Sequence, residues 1–327
     1  MVRADSGGAA VAAGRASPEP ARPVLPAVHR PPAGDVGLLA VAVLAVSTSG
    51  PLIAAAAAPS LAIAFYRNAM ASGVLLPWAL SRCATELRGL RRREWWLAVL
   101  AGVLLALHFA TWTPALALTS VASATALVAT QPVWVALIAH LRGSAIPARA
   151  WVGIAVSVLA AALLSGVDFT VSTRALAGDG LAVLGGIFAA LYVTAGAEVR
   201  RGVSTTAYTL ICYSTASVLL LVACLATRAS LGGYRPVTWV QLLALTAGAQ
   251  LLGHSVINRV LRTTSPTVVS LAILLEVPGA AAIAALFLHQ RPPVAAVPAA
   301  ALLLVGIGLV VGFSGRRDVV PTAIDID

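Results

Sequence analysis

The sequence predicts an all-α integral membrane protein whose ten transmembrane helices form two inverted five-helix repeats. Three observations lead there: apolar runs of membrane length, a lopsided distribution of arginine between them, and a polar pattern that recurs 145 residues later. The 327 residues are 59% hydrophobic and only 10% charged, whereas a soluble domain carries roughly 25% charged residues. The net charge of +10 comes from arginines placed singly or in short clusters between apolar runs. That placement fits membrane topology better than a nucleic-acid surface. Cys83, Cys212 and Cys224 are scattered and odd in number, so no disulfide framework or CxxC metal pair is expected.

Residues 1–35 are rich in Ala, Pro and Gly and carry Arg3, Arg15, Arg22 and Arg30. They read as a disordered cytoplasmic tail and not as a cleavable signal peptide, because the first long apolar run begins only after Asp35. Ten runs follow, near 37–56, 61–80, 95–117, 119–141, 148–166, 180–198, 206–227, 238–262, 266–289 and 294–314. Each is roughly 20 residues, the length a membrane helix requires. The division is then a first repeat at 36–166, a linker at 167–179, a second repeat at 180–314 and a cytoplasmic tail at 315–327.

The loop charges test this count. With both termini cytoplasmic, the inside segments hold 17 arginines, led by Arg82, Arg88, Arg91, Arg92 and Arg93, and the outside loops hold 4. Missing or inventing one helix would scramble that split. Trp95 and Trp96 beside the arginine cluster read as interfacial anchors. Arg67 is the one arginine left within a span.

The repeat appears when Thr119-Ser120 through Gln131-Pro132-Val133 is laid over Thr264-Ser265-Pro266 through Glu276-Val277-Pro278. The offset of 145 places Gln131 opposite Glu276. Five helices separate the copies, and an odd number inverts the second across the bilayer, about a pseudo-two-fold axis in the membrane plane.

The candidate substrate site follows from depth. At 1.5 Å per residue Glu276 and His254 lie about 15 and 12 Å from the cytoplasmic boundary, His108 about 20 Å, and Arg67 about 9 Å below the outer surface. Gln131 falls near the midplane. A helix would stack His254 and Asn258 on one face. Trp112 adjoins the polar Thr111 and Thr113. Glu276 is the one acidic residue deep in any span. An ionisable group there is costly unless it faces a polar cavity, so Glu276 and His254 are also the candidates for proton coupling. The alternatives are a structural ion pair of Glu276 with Arg67, an outward-snorkelling Arg67, and a His108 that only packs. Pro51, Pro114, Pro132 and Pro278 mark candidate helix breaks beside polar groups, where a freed carbonyl is tolerable next to a cavity; simple packing kinks are the alternative. Gly308 and Gly312 form a GxxxG spacing in the last run, which permits close helix approach, a homodimer included.

No HExxH, GxSxG or metal-spaced aspartate pair is present, and no GxxxxGK[ST] phosphate loop. These absences speak against a membrane-embedded enzyme and against nucleotide-driven pumping. No cofactor, metal or nucleic acid is expected; the expected partners are the bilayer, a small-molecule substrate and protons. A channel or structural membrane protein is the remaining alternative, and it needs no titratable group in a repeat-symmetric core.

Phe65-Tyr66-Arg67-Asn68, Gln131-Pro132-Val133 and Gly253-His254…Asn258…Glu276, set on ten helices, resemble the drug/metabolite transporter superfamily in its EamA-like branch. The resemblance covers about 36–314 and implies a secondary transporter, most often an exporter of small metabolites, amino-acid-like compounds or drugs, with a central site. Two departures stand out: Glu276-Val277-Pro278 where the branch commonly has Glu-Pro, and His289-Gln290 where a Gly-Glu pair often stands. Such a protein resides in the cell's inner or plasma membrane.

The topology is tested by cysteine labelling in intact cells. Single cysteines within 85–92 and within 170–176 are expected on opposite faces; labelling from the same face overturns the ten-helix arrangement.

Overall fold

The computed structural model describes residues 31–119, 121–165, 172–287 and 296–312. The amino-terminal tail through residue 30, residues 167–171 of the expected linker, residues 288–295 with His289-Gln290, and the carboxy-terminal tail lie outside the described residues; the rest of the expected linker is Ser172, which caps α9, and the first turns of α9.

The described chain is helical throughout, with no strand among its residues. The first half runs α1 (Ala33–Ser47), α2 (Ser49–Ala55), α3 (Ser60–Arg82), α4 (Ala84–Gly89), α5 (Arg92–Leu118), α6 (Val121–Val128), α7 (Gln131–Leu141) and α8 (Ala148–Ser165). The second runs α9 (Thr173–Val199), α10 (Thr205–Ala226), α11 (Pro236–Leu245), a π-helical segment Thr246–His254, α12 (Ser255–Val260), α13 (Pro266–Ile273), α14 (Glu276–Phe287) and α15 (Ala296–Gly312).

Local chemistry sets many of these boundaries. Ser172, Ser204 and Ser265 cap α9, α10 and α13 by accepting from the backbone N–H of Ala175, Ala207 and Val268, which answers donors a helix start leaves free. Pro236 and Pro266 open α11 and α13, where a missing N–H costs nothing.

Seven segments are long and apolar enough to cross a membrane: Ala33–Ala55, Arg92–Leu118, Ala124–Leu141, Thr173–Val199, Thr205–Ala226, Pro236–Val260 and Pro266–Phe287. The other three expected runs are helical but fall short of that measure. α3 has the length, but Arg67, Asn68 and Arg82 make it more polar, and the apolar stretches of α8 and α15 are shorter.

The interruptions fall where the sequence repeats. α6 ends at Val128 and α7 starts at Gln131; 145 residues on, α13 ends at Ile273 and α14 starts at Glu276. Packing follows the same exchange. α5 lies on α9 as the π segment lies on α1, α6 on α9 as α13 on α1, and α8 pairs with α15 and α3 with α10. Swapping the halves therefore returns the same set of neighbours.

Three of the four expected prolines adjoin a break. Pro51 follows the break at Thr48, Pro132 that at Ala129-Thr130, and Pro278 that at Leu274-Leu275. Pro114 differs: α5 runs unbroken through it to Leu118. It lies one turn from the helix end, where Thr111 Oγ1 donates to the Leu107 and His108 carbonyls, at 2.8 and 3.0 Å.

Glycine sets the closest helix contacts. A Cβ at Gly306 of α15 would lie 2.8 Å from the Gly153 carbonyl of α8 and 2.8 Å from the Ser157 nitrogen. Gly308, by contrast, has nothing within 4 Å, so α15 approaches α8 through Gly306 and not through Gly308. Gly306→Val is expected to destabilise the protein by about 1–3 kcal/mol, the usual cost of overpacking, read as a lower midpoint in detergent melting. Gly308→Val is expected to leave the midpoint unchanged.

Candidate functional site

Hydrocarbon offers no hydrogen-bond partner, so interrupted helices must satisfy their backbone within the protein or against a polar cavity. The breaks here do both. Thr48 Oγ1 donates to the Ala45 carbonyl and Thr130 Oγ1 to the Leu127 carbonyl, each at 2.7 Å. The hydroxyl of Ser270, one turn before the third break, donates to Thr267 O at 2.9 Å. The breaks also surround one cavity, with an empty volume of about 710 Å³.

The cavity wall takes Val46 and Ser49 from the α1–α2 break and His108 and Trp112 from α5. Thr125 and Gln131 come from α6 and α7, Tyr192 from α9, His254 from the end of the π segment, and Ser270 and Glu276 from α13 and α14. Gln131 and Glu276, equivalent by the repeat, are each the first residue of the half-helix that follows a break. Of the residues predicted from the sequence, Glu276, His254, Gln131, His108 and Trp112 thus meet at one cavity.

Several of these groups have no partner. Trp112 Nε1, Gln131 Nε2 and His254 Nδ1 are buried without a hydrogen bond. Among the described residues Glu276 makes no ion pair. His108 is fastened, its Nδ1 donating to Gly185 O at 2.9 Å, and its ring stacks on Trp112 with centroids 5.8 Å apart and planes 10° off parallel. Unanswered polar atoms in an apolar setting are costly unless water or a ligand meets them.

Arg67 is placed differently from expectation. It is fully buried behind the cavity wall, and its partners are neutral: Nε donates to Gln250 Oε1 at 2.8 Å and Nη1 to Ser49 Oγ at 3.2 Å. The guanidinium carbon sits 4.2 Å from the Phe109 ring centroid, a cation–π contact, while Nη2 has no partner. Neither outward snorkelling nor an ion pair with Glu276 is what the structure holds. The reason lies on the helix carrying His254. Gln250, fully buried, uses its amide oxygen on Arg67 and its amide nitrogen on Asn68 Oδ1, at 3.1 Å.

Asn258 also departs from expectation. It is fully buried and does not reach the cavity; its Oδ1 accepts from the Tyr192 hydroxyl at 2.8 Å, and its carbonyl from Arg200 Nε at 2.9 Å. Tyr192 occupies the wall position, and Asn258 orients it from behind. His254 and Asn258 both turn toward Tyr192, whose ring lies 6.4 Å from the His254 ring, and with α9 packed on α12 it is Tyr192 that stands between Asn258 and the cavity.

Sequence reasoning missed Gln250, Tyr192 and Ser49. Gln250 carried a signal, a polar side chain deep in the run that holds His254. Ser49 lay within the noted Ser47-Thr48-Ser49-Gly50-Pro51 stretch, whereas Tyr192 gave no signal beyond being a tyrosine in an apolar run.

Comparison with known proteins adds family and fold. A family model described as the EamA-like transporter family matches twice, over residues 34–166 and 176–312. A solved structure described only as "Crystal structure of protein" is similar, with a TM-score of 0.69 at 17% sequence identity. The alignment covers 86% of this chain and 97% of that one; at this identity the likeness is one of fold. No curated protein matches the sequence.

The Arg67 network yields a test of what holds the site in shape. Gln250→Ala strips Arg67 Nε and Asn68 Oδ1 of their partner and is expected to cost about 1–3 kcal/mol or more, the range for orphaned buried polar groups. Gln250→Glu supplies the acid that Arg67 lacks and is expected to retain more stability than Gln250→Ala in the same melting assay. Equal midpoints for both variants and the wild type would show that the network carries no stability.

Proposed function

The chain belongs to the EamA-like transporter family, and we propose that it is a secondary transporter, an exporter of small metabolites, amino-acid-like compounds or drugs working by alternating access. One observation carries the reading. A cavity lies where broken helices of both repeats meet, with a carboxylate on its wall, Glu276, that makes no ion pair among the described residues.

In this reading α3, α8 and α15 cross the membrane with the seven longer apolar segments, giving ten spans. Five spans per repeat invert the second repeat relative to the first, and the exchange-symmetric packing of the helices supports a two-fold relation between them. Both termini face the cytoplasm, as the arginine split suggests. Rocking one repeat against the other exposes the cavity first to one side and then to the other.

Coupling is assigned to Glu276 and His254. Both line the cavity, so a proton on either is exchanged with whichever side the cavity faces. A protonated Glu276 carries no charge through the occluded state, where an unpaired carboxylate would be costly. Release on one side leaves a charged cavity that favours a different ligand state, which ties proton flow to substrate flow. His254 has a buried ring nitrogen without a partner and serves as the relay. Gln131, Trp112, His108 and Tyr192 supply the remaining polar and aromatic surface, while Arg67 and Asn258 act through Ser49 and Tyr192.

The test is a metabolite screen in proteoliposomes with an imposed pH gradient, comparing wild type with Glu276→Gln. The variant keeps the side-chain shape and removes titration. It is expected to fold, to lose gradient-driven accumulation and to retain substrate counterflow. Unchanged uphill transport with the wild-type pH dependence would overturn Glu276 as the coupling group.

A further inference from the structure

Resting on the transporter reading, we propose that the amino-terminus of α7 is a subsite for a carboxylate of the transported ligand, which makes that ligand an organic anion. The repeat supplies the argument. α14 starts at a break and begins with an acid, Glu276, in its first turn. α7 starts at the equivalent break and begins with Gln131, a neutral amide. A helix amino-terminus carries a partial positive charge, and negative charge is favoured beside it; at α7 Pro132 has no N–H and the Val133 N–H donates to Thr130 O, so it is this charge, with the side-chain donors below, that a ligand meets. In the second repeat the chain provides that charge. At α7 the position is left to the ligand.

The surrounding side chains independently point to an acceptor. Trp112 is 4% and Gln131 6% exposed, both line the cavity, and neither Trp112 Nε1 nor Gln131 Nε2 has a partner. An indole N–H can only donate, so whatever meets Trp112 there must accept. Two adjacent glycines of α9 bring Trp112 and the α7 break together. A Cβ at Gly185 would lie 3.1 Å from Trp112 Cβ, and one at Gly186 would lie 2.9 Å from Val128 O and 3.4 Å from Thr130 Oγ1. The stack on His108, itself tied to Gly185 O, fixes the indole plane.

Charge points the same way. Arg67, fully buried and without an ion-pair partner among the described residues, donates to Ser49 of the cavity wall. It places a positive charge behind the cavity. Glu276, at the other half-helix, repels an anion from the second-repeat side whenever it is deprotonated, so the carboxylate is directed to α7. Val128, Val193, Ile257 and Leu274 on the remaining wall suit an apolar body on that ligand.

The test uses full-length protein in nanodiscs and three probes of one shape: phenylacetate, phenylacetamide and 2-phenylethylammonium. Radiolabelled phenylacetate is expected to bind, with the amide and the ammonium competing at least about tenfold more weakly, since hydrogen bonds to a charged acceptor are the stronger ones. Gln131→Glu, which puts a fixed acid where the ligand's carboxylate would sit, is expected to weaken phenylacetate binding by about tenfold or more. Trp112→Phe keeps the ring and removes the N–H, and is expected to weaken it by about five- to tenfold. Equal binding of the three probes, preference for the ammonium, or no phenylacetate binding overturns the subsite. So does unchanged affinity in a monodisperse Gln131→Glu protein, and if that variant fails to fold, unchanged affinity in Trp112→Phe decides the same way. Gradient-driven transport of a neutral or cationic substrate in the proteoliposome screen would overturn the subsite and leave the transporter reading standing.

Discussion

An uninterrupted helix satisfies its own backbone, and within a bilayer nothing else will do so. Every break in this chain therefore has to be covered, and the breaks at Thr48, Ala129-Thr130 and Leu274-Leu275 are covered by one another. They come from three helices, two of them repeat-equivalent, and they surround a single cavity. Thr hydroxyls at two of the breaks add a second donor to the Ala45 and Leu127 carbonyls, which the tightened turns also bond through Thr48 N–H and Thr130 N–H. The polar side chains that would be prohibitive against lipid are affordable at this one place, which is why Gln131, His254 and Glu276 occur together.

Behind the cavity lies a second consequence of the same constraint. Arg67 cannot reach water, so it must be solvated by protein, and Gln250, Ser49 and the Phe109 ring perform that task. These contacts join the second-repeat segment carrying His254 to first-repeat helices α2, α3 and α5. The guanidinium thus ties the two repeats together next to the cavity. Among the described residues no acid is in ion-pair contact with it.

The sequence was informative where periodicity and length dominate. Runs of about 20 apolar residues were readable because bilayer thickness translates directly into residue number, and the 145-residue offset was readable from the polar pattern. Which side of a helix faces the cavity was less legible. Asn258 and His254, one turn apart, divide between the protein interior and the cavity wall, since Tyr192 from a distant part of the chain fills the space between. Arg67 was correctly singled out as unusual, yet its partners lie 18 and 183 residues away in sequence, and no local pattern announces them. Pro114 reads like the other prolines, but its position near the end of α5 lets the helix continue through it.

The two cavity walls differ. An offset of 145 sets His254 against Phe109, yet His108 and His254 both line the cavity. The segment Thr246–His254 is π-helical, whereas α5 runs without interruption. The surroundings of the two histidines diverge. His108 is held by the Gly185 carbonyl and stacked on Trp112, whereas His254 keeps a buried, unpartnered ring nitrogen. The first-repeat wall carries the unanswered donors of Trp112 and Gln131; the second-repeat wall carries Glu276 and His254. In the proposed transporter, that division lets one repeat recognise the ligand while the other handles the proton.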